Sequence, residues 1–208
     1  MRRAAARPVA VGAWSLGLAV SVALAAVPLP CARAAAAPRM PELALGTLNP
    51  DGYRDHAWHA PVPATHPDAS TVDTAEAHAL LERGAAVPID VMAAIERPAS
   101  AGLPAGFIPN RPRRHIPGSV WLPNVGYDEP SPALACWYAR ALERVSGGDR
   151  GRGLLIYCIA DCWLSWNAVH RAASFGYTRL YWYPEGSDGW AEAGLALVEA
   201  RPEPPPPP

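Results

Sequence analysis

Two cysteines four residues apart close an apolar run, Leu154-Leu155-Ile156-Tyr157-Cys158-Ile159-Ala160-Asp161-Cys162-Trp163. Thiols at this spacing can exchange with a disulfide, pass a sulfur from one to the other, or bind a soft metal ion. The residues before Cys158 read as a buried strand and those after Cys162 as a helix, which makes the segment between them a short loop. A strand that ends in Cys ahead of such a loop places its sulfur over the helix N-terminus, where unpaired backbone N–H groups favour thiolate over thiol. On that argument Cys158 is the expected nucleophile or ligand, and Cys162 the thiol that resolves what forms on it. Asp161 sets a carboxylate inside the loop, where it disfavours a second anion and raises a neighbouring thiol's pKa.

The residue types leave few rival chemistries. All 18 basic residues are Arg, so no lysine Schiff base can form, and a net charge of −1 gives no reason to expect nucleic acid as partner. No nucleophile-elbow Ser, phosphate-binding glycine loop or H-E-x-x-H zinc signature is present. A c-type haem would want His after the second Cys, where Trp163 stands. The pair itself leaves three uses open: thiol redox or persulfide relay, soft-metal binding with His170 as a third ligand eight positions beyond Cys162, or a permanent staple. No metal site is expected in the arm, where His56, His59 and His66 are loosely spaced on a Pro-broken segment and read as solvated.

The elements that would position the thiols alternate strand with helix. Thr71 and Val72 begin the folded part, Thr74 caps a helix over Ala75–Arg83, and Ala86–Val91 reads as a buried strand with its Pro at the entering end. A Pro/Gly-broken stretch, Pro98–Pro112, leads through Arg113-Arg114-His115-Ile116-Pro117-Gly118 to a short strand. Then come a helix over Pro132–Val145, the Leu154–Tyr157 strand, a helix from Cys162 to Phe175, a strand over Arg179–Tyr183 and a short helix over Gly189–Gly194. That order predicts a single α/β domain with a mainly parallel sheet flanked by helices. In such sheets ligands gather beyond the carboxyl ends of strands. The Cys158 loop and the loop carrying Glu185 and Asp188 should therefore share one rim, walled by Trp163, Trp166, Trp182 and Trp190, with flat faces suited to a quinone or an alcohol.

Around this domain, at residues 71–199, lie three further segments. Residues 1–36 read as a secretory signal peptide, with Arg2 and Arg3 before an apolar run and small residues near Ala32–Ala37. Residues 37–70 form a Pro-rich N-terminal arm, and 200–208 a polyproline tail. Cleavage removes Cys31 and delivers the chain to an oxidising periplasm, free of the membrane. Three cysteines then remain, with Cys136 expected as a small packed hydrophobe in a helix.

In order and spacing the chain resembles the rhodanese-like domain. The matches are Val72-Asp73-Thr74, Ile89-Asp90-Val91, the His115-Ile116-Pro117-Gly118-Ser119 turn, Ile156-Tyr157-Cys158, and Phe175-Gly176-Tyr177 through Gly186 to Gly189-Trp190. Within that superfamily it is similar to exported proteins carrying a Cys-x-x-x-Cys-Trp motif and associated with pyrroloquinoline quinone-dependent alcohol catabolism. The residues behind this finer likeness are Cys158–Trp163, Ser165–Ala168 and Tyr181–Trp190, with Gly52-Tyr53-Arg54 and Pro61-Val62-Pro63 in the arm. The resemblance implies a periplasmic accessory protein with a redox or cofactor role, whose partner is a quinone-dependent dehydrogenase or its transport system. It also implies that Asp90 and His115 hold structure. The loop departs from ordinary sulfurtransferases, which close it with a polar residue where Trp163 stands, and this puts thiosulfate sulfurtransferase activity in doubt.

Overall fold

Nine short strands and four helices follow in the computed structural model, which describes residues 48–100 and 105–205. In chain order they are β1 (Ser70–Thr71), α1 (Thr74–Glu82), β2 (Ala86–Asp90), β3 (Ile95–Arg97), β4 (Gly106–Ile108), β5 (Arg114–His115), β6 (Val120–Trp121), α2 (Pro132–Ser146), β7 (Gly153–Tyr157), α3 (Trp163–Ser174), β8 (Leu180–Tyr183), α4 (Gly186–Glu192) and β9 (Val198–Glu199). The expected signal peptide and the start of the arm lie outside the described residues. Among those described, no helix is long and apolar enough to cross a membrane.

Five strands form a parallel sheet in the order β1-β8-β7-β2-β6, which puts β7, the strand leading to Cys158, in the middle. Alternation along β7 sends Leu154 and Ile156 to one face and Leu155 and Tyr157 to the other. The first face packs α2 and α3 through Tyr138, Leu142, Trp166, Val169 and Trp182. The second packs α1 and α4 through Ala77, Leu80, Tyr183 and Trp190. Pro88 lies inside β2 without breaking it, because β6 pairs with β2 only at Ile89 and Asp90.

Local signals explain the helix ends and correct one of them. Asp73, not Thr74, caps α1: its carboxylate accepts from Glu76 N while Glu76 reaches back to the Asp73 N–H, a capping box. Ser131 caps α2 ahead of Pro132, and Gly147 closes it in the left-handed region. The stretch read as broken, Pro98–Pro112, contains β4, which pairs with β3 as an antiparallel hairpin. The tail is also less detached than expected. Ala200 is buried, Pro202 bridges Trp121, and Arg144 pairs with Glu203 at 2.7 Å.

The larger surprise is the arm, which lies along α3. Asn167, His170 and Arg171 share one polar face of that helix, yet Trp163 through Ala172 are all buried. Asn167 exchanges bonds with the main chain of Arg54, accepting from its N–H at 2.9 Å and donating to its carbonyl at 2.8 Å. His170 pairs with Asp68 at 2.6 Å and reaches the Asp51 carbonyl at 3.0 Å. Without the arm these side chains would face water; with it they are satisfied, as buried polar groups must be.

Candidate functional site

Cys158 follows β7 directly and belongs to the α3 side of the sheet, as the two-residue alternation requires. It is fully buried, and Cys162 is 4% exposed; both are free thiols. The turn between them is made by Asp161, whose φ of +52° is left-handed, a conformation that Asp tolerates better than most residues. Cys162 then occupies the N-cap position of α3.

This geometry reverses the expected order of acidity. The Cys158 thiol and the backbone N–H groups at the start of α3 lie beside Cys162 and lower its thiol below the usual value, against the opposing effect of burial. Burial pushes Cys158 well above its own, with its bond to Cys162 and the nearby Asp90 adding to the effect. Of the two, Cys162 is thus the more acidic thiol and Cys158 the one that holds its proton more firmly. The reason is the loop's length: a helix that starts at Trp163 offers its free N–H groups to the sulfur at the cap, not to one four residues earlier.

Below the loop lies a charged floor. Arg113 grips Asp90 with two bonds of 2.9 Å and reaches the Cys158 carbonyl at 3.4 Å and Ser187 Oγ at 3.3 Å. Asp90 is fully buried, so this pair is isolated from water. Ser187 N donates to the same Cys158 carbonyl at 3.0 Å, and Asp188 accepts from Ala160 N at 3.2 Å. Gly186 makes this close approach feasible: its φ is +57°, and a Cβ there would stand 2.5 Å from the Cys158 carbonyl oxygen. Beside the sulfurs, Met92 Sδ lies 3.5 Å from Cys158 Sγ. Tyr127 is half-buried, and burial, with a smaller effect from the neighbouring Cys162 and Cys158, raises its phenol.

Above the loop lies the arm. The main chain of Trp58–Ala60 runs antiparallel to Asp161–Trp163: Trp163 N donates to the Trp58 carbonyl at 2.7 Å, Ala60 N donates to the Asp161 carbonyl at 2.9 Å, and His59 sits opposite Cys162. The Trp163 indole adds a bond to the Pro61 carbonyl at 3.2 Å, and Trp58 packs edge-on against Tyr127.

The residues singled out from sequence are thus only partly brought together. The two cysteine and glutamate-bearing loops do share a rim, through Ser187 and Asp188. Asp161 is exposed, and its contribution is the turn and a carbonyl; Asp90 is the carboxylate acting on Cys158. Glu185 bonds Thr74, away from the thiols. Trp163 and Trp166 do not present open faces: they pack on each other at 5.3 Å, and Trp166 also meets Trp182 at 5.3 Å. Trp190 belongs to the opposite face of the sheet, against His78. These tryptophans therefore do not fit a flat quinone, whose place is taken by neighbouring side chains. His170 is engaged by Asp68, and among the described residues no cluster of three or more His, Cys, Asp or Glu is placed to hold a metal.

Two further expectations are corrected. His66 is buried, not solvated: its ring accepts from Asp68 N at 3.0 Å and donates to the Trp166 carbonyl at 3.1 Å, which fixes a neutral tautomer. Cys136 is half-buried on α2, where its sulfur accepts from Arg140 at 3.1 Å, and is not packed in the core. Sequence reading overlooked Arg113, Met92 and Tyr127, none of which carries a local spacing signal. Arg113 was legible only as a charge that a buried Asp90 would need.

A family model described as the rhodanese-like domain matches residues 73–193. A search of curated proteins finds no match. Solved structures similar to the chain include the thiosulfate sulfurtransferase of Pseudomonas aeruginosa, at 15% identity and TM-score 0.41 over 65% of this chain and 21% of that one. SseA of Escherichia coli, a 3-mercaptopyruvate sulfotransferase, is similar at 16% identity and TM-score 0.46, over 66% and 53%. The human single-domain sulfurtransferase matches at 23% identity and TM-score 0.37, over 60% and 96%. The chain thus spans about a fifth and about half of the first two proteins' lengths.

Proposed function

The chain belongs to the rhodanese-like family, and from that premise we propose that it is an exported accessory protein of quinone-dependent alcohol oxidation whose Cys162 and Cys158 exchange disulfides. The observation that carries the chemistry is the placement of two free thiols one loop apart, Cys162 at the N-cap of α3 and Cys158 fully buried just after β7. What supports the setting is the resemblance of Cys158–Trp163 and Tyr181–Trp190 to the Cys-x-x-x-Cys-Trp proteins, together with the signal-like start of the chain.

The exchange proceeds in two displacements. The Cys162 thiolate attacks one sulfur of a partner disulfide; that S–S bond breaks, and the departing thiolate takes the proton of Cys158. The Cys158 thiolate then attacks the Cys162 sulfur and expels the second partner thiolate. The pair is oxidised to a disulfide by two electrons, and the partner disulfide is reduced by the same two. Arg113, bonded to the Cys158 carbonyl and to Asp90, holds the attacking residue in place and offsets the carboxylate charge beside it as that thiolate forms.

The test is to treat the reduced protein with glutathione disulfide and follow adducts by mass spectrometry. Cys158→Ser should accumulate a mixed disulfide on Cys162, while Cys162→Ser should react slowly at Cys158. Adducts that collect on Cys158 instead would reverse the assignment, and a pair that never oxidises would leave a binding module as the better account.

A further inference from the structure

The thiols that the proposed exchange needs are covered by the protein's own chain. The covering segment is a flap with two firm ends. Arg54 is fixed by its reciprocal bonds to Asn167, and His66 by its bond to the Trp166 carbonyl. Between them, Asp55, His56, Ala57, His59, Pro61, Ala64 and Thr65 are exposed. The middle is held to the dithiol loop by two main-chain bonds and the Trp163–Pro61 bond.

Two features work against this closed position. Ala57 has a φ of +46°, left-handed for a residue with a Cβ, which costs on the order of 1 kcal/mol. The Trp58 indole N–H is buried with no hydrogen-bond partner among the described residues, a loss that water would restore on opening. The flap is therefore closed but poorly optimised where it touches the loop.

We propose that the strand slot on Asp161–Trp163, now filled by Trp58–Ala60, is the docking site for an extended, cysteine-bearing segment of a partner protein, which takes the flap's place. The flap shows what the slot accepts. It is a main-chain ladder that any extended peptide can satisfy, the mode in which one strand is exchanged for another. An aromatic side chain fits beside Tyr127, as Trp58 does. The register places the reacting sulfur as well. His59 stands opposite Cys162 as a non-hydrogen-bonded pair, and such residues have Cα atoms about 4.5 Å apart, within what a disulfide spans. A partner cysteine at the His59 position is thus presented to Cys162, whereas a compact disulfide gains nothing from the slot. This inference rests on the dithiol reading above but extends it to the substrate class.

The probe is a synthetic peptide with the flap sequence of residues 57–62, carrying Cys in place of His59, activated as its mixed disulfide with 5-thio-2-nitrobenzoate. Free cysteine activated in the same way is the control. Both are offered to the reduced protein and to two flap variants, Trp58→Ala and Ala60→Pro, the latter removing the N–H that binds Asp161. Thermal unfolding checks that each variant is folded. Each variant should release the yellow thiolate from the peptide about tenfold faster than the parent protein, since reaction is limited by local opening, and the peptide should outpace activated cysteine by a similar factor. Variants that react no faster than the parent, or a peptide with no advantage over cysteine, would overturn the docking assignment. If cysteine and peptide oxidise the pair equally well, docking fails while disulfide exchange stands. If the peptide attaches to Cys162 but Cys158 never displaces it, docking stands and the exchange reading fails.

Discussion

The floor and the lid of the Cys158–Cys162 loop are built from different materials. Beneath it, Arg113 and Asp90 form a bidentate ion pair sealed from water, and Gly186 brings α4 against the Cys158 carbonyl with no room for a side chain. Above it, Trp58–Pro61 is held by main-chain bonds, with an unpaired indole N–H and a strained Ala57. A buried charge that loses its partner is costly, while an exposed main-chain bond exchanges readily with water. The difference teaches that one side of the loop fixes where the sulfurs are, and the other decides what reaches them.

The contrast can be broken from below first. Arg113→Ala should cost about 3–5 kcal/mol in urea denaturation, because it strands a fully buried Asp90; a loss under about 1 kcal/mol would show that the floor is not rigid. Acid attacks the lid's far anchor next. Burial lowers the His66 pKa from 6.5 to about 4. The unfolded chain therefore binds the proton first, so stability present above pH 6.5 falls as pH drops toward 4, by roughly 3 kcal/mol. His66→Gln should flatten that slope of stability against pH, and an unchanged slope would shift the effect to other groups. Gly186→Ala, which drives a Cβ into the Cys158 carbonyl, should cost about 2 kcal/mol by the same measurement. Smallest in stability is Trp58→Ala: losing its packing on Tyr127 while freeing an unpaired N–H should change unfolding by less than about 1 kcal/mol. Its effect should instead show in faster alkylation of Cys162.

The parallel sheet was legible because its signals are local. Apolar runs end in Gly or Pro, the first helix starts within a residue of its expected cap, and α2 and α3 fall within about a residue of their expected ends. The β3–β4 hairpin was missed because Pro98 and Pro109 outweigh a three-residue strand in any short window. The arm was misread for a different reason. Its Pro, His and Asp content describes a solvated segment, yet it is ordered by partners on α3 more than a hundred positions away, Asn167 and His170. That same helix offered a hint: Asn167, His170, Arg171 and Ser174 make one polar face of α3, which requires either water or a cover. The two thiols meet in the structure as their spacing implies, but which of them stands at the helix cap was not legible. A loop of three residues with Asp161 in the left-handed region puts Cys162 at that cap, which spacing alone does not show.

The edge-on contact between Trp58 and Tyr127, 5.1 Å between ring centroids, gives the molecule a built-in optical gauge. An indole leaving a half-buried position for water emits at longer wavelength, so displacement of the flap should be visible in intrinsic fluorescence without any label. Trp121 and Trp182, fully buried on the sheet, supply a background against which that change is read, in real time and in the unmodified chain.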